Sequence, residues 1–403
     1  MLKSPPPRHV SGVASLVELT QDVGWDRFER TAGSSNAACT LAPAATVPFR
    51  NYSRMDAPDF APKSRRRFMA SLQYQAEPVR LYSLKDVRFL GSPGLFVAGN
   101  AIVAESAAHW RLHTSGTAEE IVGELRTKMG QPLLRFDSPL QQLEGVHVLA
   151  ASLYSRNYFH WTYELLPAIA LLAELGAHRG LKVLVDRRNE VVDASLGALG
   201  VAPQDIVILP RKQAVAVDRL LVASCFRSES PRIHPRILQA LQRVKKTVLG
   251  EPRPRPGRRI FASRGASDLR RLDNRQALES AFEAEGFEIV DPGMLGYAEQ
   301  LSLFDEADVV VAEHGANLGN IVFCRPGTLI LELFHPSVGG WGSLCFLAIA
   351  EAMGLLHRSL VGSAGPGDRW TVAVPEAVEF LKDALRRRTA HEDRLRIALA
   401  PGD

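Results

Sequence analysis

From Gly257 onward the chain alternates short apolar runs with helix-length segments, and this rhythm restricts the fold more than any other feature. Strand-like residues 259–263 precede a helical stretch at 274–285, and strand 287–290 precedes helix 297–306. Strand 308–312 then leads into a helix near 317–323, strand 328–333 into helix 344–353, and strand 357–361 into a final helix at 375–388. Strands separated by helices run parallel, because a parallel pair needs a long crossover. Near-continuous apolar strands of this kind are covered on both faces. The same alternation occurs earlier, with helix 158–175, strand 182–186, helix 191–200, strands 205–209 and 219–223, and helix 234–249. Short strands at 87–90, 95–97, 101–103 and 146–149 come before it, set apart by Gly, Pro and Asn turn signals.

The run Glu251-Pro252-Arg253-Pro254-Arg255-Pro256-Gly257 separates the two series. Alternating prolines cannot continue a helix and stiffen the chain into a spacer. The expected architecture is therefore α/β, with two Rossmann-like domains over 76–250 and 251–403 and mostly parallel sheets. An irregular, extended segment, 1–75, precedes them. Two such halves leave a cleft, and ligands of open α/β sheets sit outside the C-terminal strand ends.

Composition enters mainly to exclude. With 403 residues, 46% apolar and 23% charged, the chain is neither disordered nor fibrous. A formal charge of +4 is too small to argue for nucleic acid. No stretch approaches the ~18 uncharged apolar residues of a membrane span; the longest, 165–177, is interrupted by Pro167 and Glu174. Pro5, Pro6 and Pro7 follow the first residues, unlike a signal peptide, and the uncharged run 31–49 reads as loop. Cys39, Cys225, Cys324 and Cys345 form no close pair, which argues against a zinc ribbon or a disulfide framework. A soluble, cytoplasmic protein is expected. The basic cluster of Lys63, Arg65, Arg66 and Arg67 reads as solvated surface, with peripheral contact at the inner membrane face as the other reading.

The strong catalytic fingerprints are missing: no Gly-x-Gly-x-x-Gly after a strand, no Walker A, no Gly-x-Ser-x-Gly, no His-Glu-x-x-His and no Asp-x-Asp. Three constellations remain. In Asn157-Tyr158-Phe159-His160-Trp161-Thr162-Tyr163-Glu164, His160 and Glu164 share one helical face and can orient each other for proton transfer. A packing helix capped by Asn157, or a metal pair, are the alternatives. After strand 259–263, Ser263, Arg264, Arg270, Arg271 and Asn274 lie where the phosphates of a nucleotide would sit, against the alternative of a solvated loop. After strand 308–312, His314-Gly315-Ala316 allows close backbone approach at a helix start, although turn chemistry alone explains it as well. Glu332 ends the next strand, either as an acceptor for ribose hydroxyls or as an exposed strand-end carboxylate.

Taken in order, these segments resemble glycosyltransferase family 61. The likeness rests on Asn157-x-x-His160-Trp161-x-x-Glu164-x-x-Pro167, Ser263-Arg264 with Arg270 and Asn274, and Glu299-Gln300. It continues through His314-Gly315-Ala316 with Asn320 and Pro326-Gly327 before Glu332, covering roughly 154–332. Two departures stand out: Glu313 precedes His314 where the family is usually small or apolar, and the loop Asn317-Leu318-Gly319-Asn320 lacks the Thr often found before its final Asn.

The resemblance implies a GT-B architecture and an inverting, metal-independent transfer from a UDP-sugar donor to a glycan or lipid-linked glycan acceptor. No cofactor is expected beyond that co-substrate. It implies Glu164 as general base with His160, and Asn157 and Trp161 on the acceptor side. Ser263, Arg264, Arg270, Asn274, His314, Gly315, Ala316, Asn320 and Glu332 would then face the donor. Surface polysaccharide synthesis is the expected setting. The rival expectation is a non-catalytic nucleotide- or carbohydrate-binding homologue of the same fold.

Overall fold

The computed structural model describes residues 12–31, 35–48, 73–90, 96–99, 101–103, 106, 141–152, 154–210, 214–224, 233–251, 257–265, 270–338 and 344–399. The basic cluster at 63–67, the prolines of 252–256 and the loop 266–269 lie outside them. The chain divides into two compact units, Met1–Ala44 with Glu77–Glu229, and Ala45–Ala76 with Ser230–Asp403.

This division departs from the one expected at the proline run. Helix Pro235–Leu249 buries Ile237, Leu238, Leu241 and Val244. Its Lys245 ammonium donates to Asp305 at 2.9 Å and to the Phe323 carbonyl at 3.0 Å. Packing therefore assigns this helix, which ends at Leu249 with Gly250 as its cap, to the second unit.

In the first unit, strands Ala214–Ala223, Gln141–Ala150, Lys182–Val185 and Ile206–Ile208 pair in parallel. The long strand Val79–Leu90 joins Ala214–Ala223 antiparallel, so this sheet is mixed. The second unit carries an all-parallel sheet in the order Glu288–Val290, Arg258–Ala262, Ala307–Glu313, Leu329–Phe334, Leu356–Val361. Phe261, Val309, Val311 and Leu331 pack on one face against Leu278 and Phe282 of helix Arg275–Ala284 and Phe380 and Leu381 of helix Val374–Leu399. Ile260, Val310 and Ile330 are buried as well, as expected for strands covered on both sides. The strand order reverses between Arg258–Ala262 and Ala307–Glu313, which makes their C-terminal ends a topological switch point.

The N-terminal segment is not irregular where it is described. Gly12–Ala14 pairs with Ala101–Val103, and Ala37–Ala42 pairs with Val79–Leu90. Ala45–Pro48 and Gln73–Ala76 form a ribbon whose Val47, Tyr74 and Ala76 pack on Leu347 and Ala348 in the second unit. Strands this short, built of Ala, Thr and Gly, gain their stability from distant partners and leave little local periodicity. No described helix is long and apolar enough to cross a membrane.

Candidate functional site

The helix expected at 158–175 forms in three parts: Tyr158–His160, a π turn at Trp161–Leu165, and Leu166–Glu174. Pro167 accounts for the wide turn. It lacks an N–H, and its ring would collide with the carbonyl four residues back in a regular α-helix. The Leu166 N–H instead reaches the Trp161 carbonyl. Asn157 starts the helix by accepting the Phe159 N–H at 2.9 Å. Within this segment the His160 Nδ1–H donates to Glu164 Oε1 at 2.8 Å.

The exposures rank this pair. The His160 side chain is 17% exposed and that of Glu164 only 4%, so the ring is presented and the carboxylate stands behind it. With Nδ1–H held by Glu164, the neutral ring carries its lone pair on Nε2. Tyr154 stacks on the ring at 5.0 Å and Phe159 meets it edge-on at 5.7 Å. Burial, with the Glu164 charge second, raises the Tyr154 phenol above its usual range. Trp161 is a correction to the acceptor-side expectation. It is buried, and its indole donates to Ser195 Oγ at 3.1 Å, so it packs within the unit.

In the second unit the candidate residues gather at the switch point. Ser263 follows the first strand and is knitted into the fold. Its hydroxyl donates to Glu279 at 2.7 Å, and its carbonyl accepts the Asn317 amide at 2.7 Å. The Arg264 guanidinium donates to the His314 carbonyl at 3.4 Å and lies against Gly315, where a Cβ would stand 3.2 Å from Arg264 Cζ. A side chain at 315 would press the guanidinium back by a few tenths of an ångström. Burial lowers Arg264 below the ordinary guanidinium range; Glu313 opposes this, while the Arg270 and Arg275 cations add to it.

Arg270 holds a left-handed backbone, φ 54°, which an L-residue with a long side chain rarely adopts. Its N–H donates to Asp368 at 2.6 Å and its carbonyl accepts the Trp370 indole at 2.8 Å. The buried Nε finds no hydrogen-bond partner among the described residues. Arg275, passed over in the sequence, donates to Glu313 at 2.8 Å and to the Gly265 carbonyl. Glu313 is buried, so the residue that departs from the family pattern is the counter-ion of Arg275. The two lie 38 positions apart, and nothing local pairs them.

Two donor-side candidates are bonded within the fold. Asn274 makes no cap bond; its side-chain amide donates to the Val372 carbonyl at 2.7 Å and accepts the Val372 N–H at 3.3 Å. Glu332 is wholly buried, bonded by His314 Nδ1 at 2.6 Å and His357 Nε2 at 2.9 Å, so it is not an exposed strand-end carboxylate. Burial pushes Glu332 up, but the two imidazoles outweigh it and hold the carboxyl down at about 2. His314 itself is clamped between Phe334, stacked at 4.9 Å, and Phe346, edge-on at 5.4 Å. The helix expected after it is a 3₁₀ helix, Ala316–Phe323, with Gly315 at its N-cap. Asn320 is buried and donates to Gln300 at 3.2 Å, supporting the turn from inside.

The first unit holds a His–Glu pair, His160 with Glu164, and the second holds an arginine cluster beside His314. Among the described residues, no group of three or more His, Cys, Asp or Glu is arranged to hold a metal ion. No protein of curated function matches the chain. Residues 158–331 match the family model Glycosyltransferase 61, a span containing His160, Glu164, Arg264, Arg270, Arg275, Glu313 and His314. That match supports membership of glycosyltransferase family 61.

Proposed function

We propose that this protein transfers a sugar, with inversion and without a metal, from a UDP-linked donor to a hydroxyl of a glycan acceptor in surface polysaccharide synthesis. The observation that carries the reading is the pair Arg264 and Arg270 at the switch point of the parallel sheet. Half-buried guanidinium groups that repel one another are relieved by a bound anion. Their planar forks suit a diphosphate, whose growing charge they stabilise as it leaves.

The first unit supplies the base. His160 Nε2 accepts the acceptor hydroxyl proton while Glu164 stabilises the imidazolium that forms. The hydroxyl oxygen bonds to the anomeric carbon as the bond from that carbon to the phosphate oxygen breaks, and UDP departs with the electron pair. General-base assistance of this kind contributes roughly 10²- to 10⁴-fold in rate.

The test is a thermal-shift panel of UDP, GDP, CMP, ADP and NAD, each with and without magnesium, on the native chain and on Arg264→Ala. A ligand at about 100 times its Kd stabilises the fold by about 2.7 kcal/mol. A UDP-selective shift that ignores magnesium and disappears in Arg264→Ala is the expected result. A flat panel for the native chain, or a shift seen only with NAD, would reject the donor reading. UDP binding with no transfer or hydrolysis of UDP-sugars would leave a binding homologue instead.

A further inference from the structure

His335 lies one residue beyond strand Leu329–Phe334, at the same C-terminal edge as Arg264 and His314, and outside the segment matched by the family. Its side chain is 6% exposed. Nδ1 accepts the Ser337 N–H at 3.0 Å, and the Ser337 hydroxyl also donates to it at 2.6 Å. A ring nitrogen that accepts a backbone N–H carries a lone pair, so in the neutral ring the hydrogen sits on Nε2. That Nε2 is buried and has no hydrogen-bond partner among the described residues. Asp368 Oδ1 is 3.9 Å from it, too far for a direct bond.

The pair is fixed to the arginine cluster. Asp368 Oδ2 accepts the Arg270 N–H at 2.6 Å, and Trp370, which bonds the Arg270 carbonyl at 2.8 Å, meets the His335 ring at 5.9 Å. One buried donor and one carboxylate acceptor, 3.9 Å apart, match a group that both accepts and donates. A hydroxyl oxygen about 2.8 Å from each atom satisfies both. A phosphate does not, because it brings only acceptors and negative charge to Asp368.

We infer that His335 and Asp368 form a hydroxyl-recognising subsite for the nucleotide donor, taking a hydroxyl of its ribose or of its transferred sugar beside the diphosphate held by Arg264 and Arg270. The inference rests on the donor reading above. It makes His335 and Asp368 determinants of which donor this chain accepts.

The test is a double-mutant cycle on the full chain by calorimetric titration. UDP, GDP and ADP are compared with their 2′,3′-dideoxy counterparts, and UDP with UDP-glucose and UDP-xylose, in the native chain, His335→Ala and His335→Gln. If the ribose is read, removing its hydroxyls costs the native chain about tenfold in Kd and costs His335→Ala almost nothing, while His335→Gln recovers part of the loss through its amide donor. If the transferred sugar is read, the same coupling appears only between UDP and the UDP-sugars. Equal losses in native and His335→Ala chains on every arm overturn the subsite while leaving the donor reading intact. No binding of any diphosphate to the native chain removes the donor reading, and this inference with it. Should His335→Ala fail to fold, the same cycle is run with His335→Phe, which keeps a ring in the space and removes the Nε2 donor.

Discussion

The two units each hold a histidine bonded to a glutamate, and the pairs differ in every respect except chemistry. His160 and Glu164 are four residues apart on a distorted helical turn, with one imidazole to one carboxylate at 2.8 Å. Glu332 draws its imidazoles from 18 and 25 residues away, across neighbouring strand ends, and has no exposed surface. A carboxylate with two imidazoles and no solvent is committed to holding its partners. A carboxylate behind a partly exposed ring can orient that ring for reaction. Exposure of the imidazole, 17% at His160 against none at His357, separates a candidate base from a scaffold; the residue types do not.

The largest expected effect tests the reactive side of this contrast. In His160→Ala, sugar transfer should fall about 10²- to 10⁴-fold while the Kd for UDP stays within twofold of native. Glu164→Gln, which keeps the shape but cannot stabilise an imidazolium, should lie between the two. Single-turnover rates paired with titrations separate the terms, and native turnover in His160→Ala would remove the pair from catalysis.

Glu332 should answer in stability instead. Its folded carboxyl lies near 2 against an ordinary value of 4.5. Its contribution is therefore complete above pH 4.5 and fades as pH falls toward 2. Glu332→Gln should cost on the order of 3 kcal/mol at neutral pH, with the gap from native closing in acid. Urea unfolding of both chains from pH 7 to pH 3 measures this. A gap that does not narrow with acid, or one that Glu164→Gln reproduces, would erase the distinction drawn between the pairs.

How legible each part was from sequence follows the same division between near and far. The parallel sheet of the second unit could be read because each strand is a continuous apolar run with a helix between it and the next. His160 and Glu164 could be read because helical spacing is a local property. The burial of Glu332 could not, because both its partners arrive from other strands. Glu313 looked anomalous until Arg275 was found beside it. The short strands before residue 77 were invisible for a related reason: Ala37–Ala42 and Gly12–Ala14 are strands only by virtue of Val79–Leu90 and Ala101–Val103. The domain boundary misled because the proline run shows only that a helix has ended before it, whereas packing decides which core that helix joins.

The next effect in size concerns binding. Arg264→Ala should weaken UDP about 10- to 100-fold, the range for losing charge-assisted bonds to phosphate. Its effect on unfolding should be small, since Arg264 rests on the backbone at Gly315 rather than in the core. The contrast with Glu332→Gln is direct: one variant should lose ligand and keep stability, the other the reverse. Equal loss of stability in both would mean that the arginine holds the loop together and has no special claim on an anion.

The smallest effect tests strain. No non-glycine residue with positive φ falls in the described helical turns that carry His160 and Glu164, whereas Arg270 keeps a φ of 54° at the edge of the second sheet. For a residue with a side chain that conformation costs about 1–2 kcal/mol. It is maintained by Asp368 on its N–H and Trp370 on its carbonyl, bonds to the backbone that glycine can make equally well. Glycine has no penalty there, although it also loses more freedom on folding. Arg270→Gly should therefore leave stability unchanged or raise it by up to about 1 kcal/mol, while UDP binding weakens. Thermal unfolding without ligand and titration with UDP read the two quantities independently. A protein that becomes both less stable and equally able to bind UDP would show that the strained arginine serves the fold; the opposite pair of results places its cost on the side of the ligand.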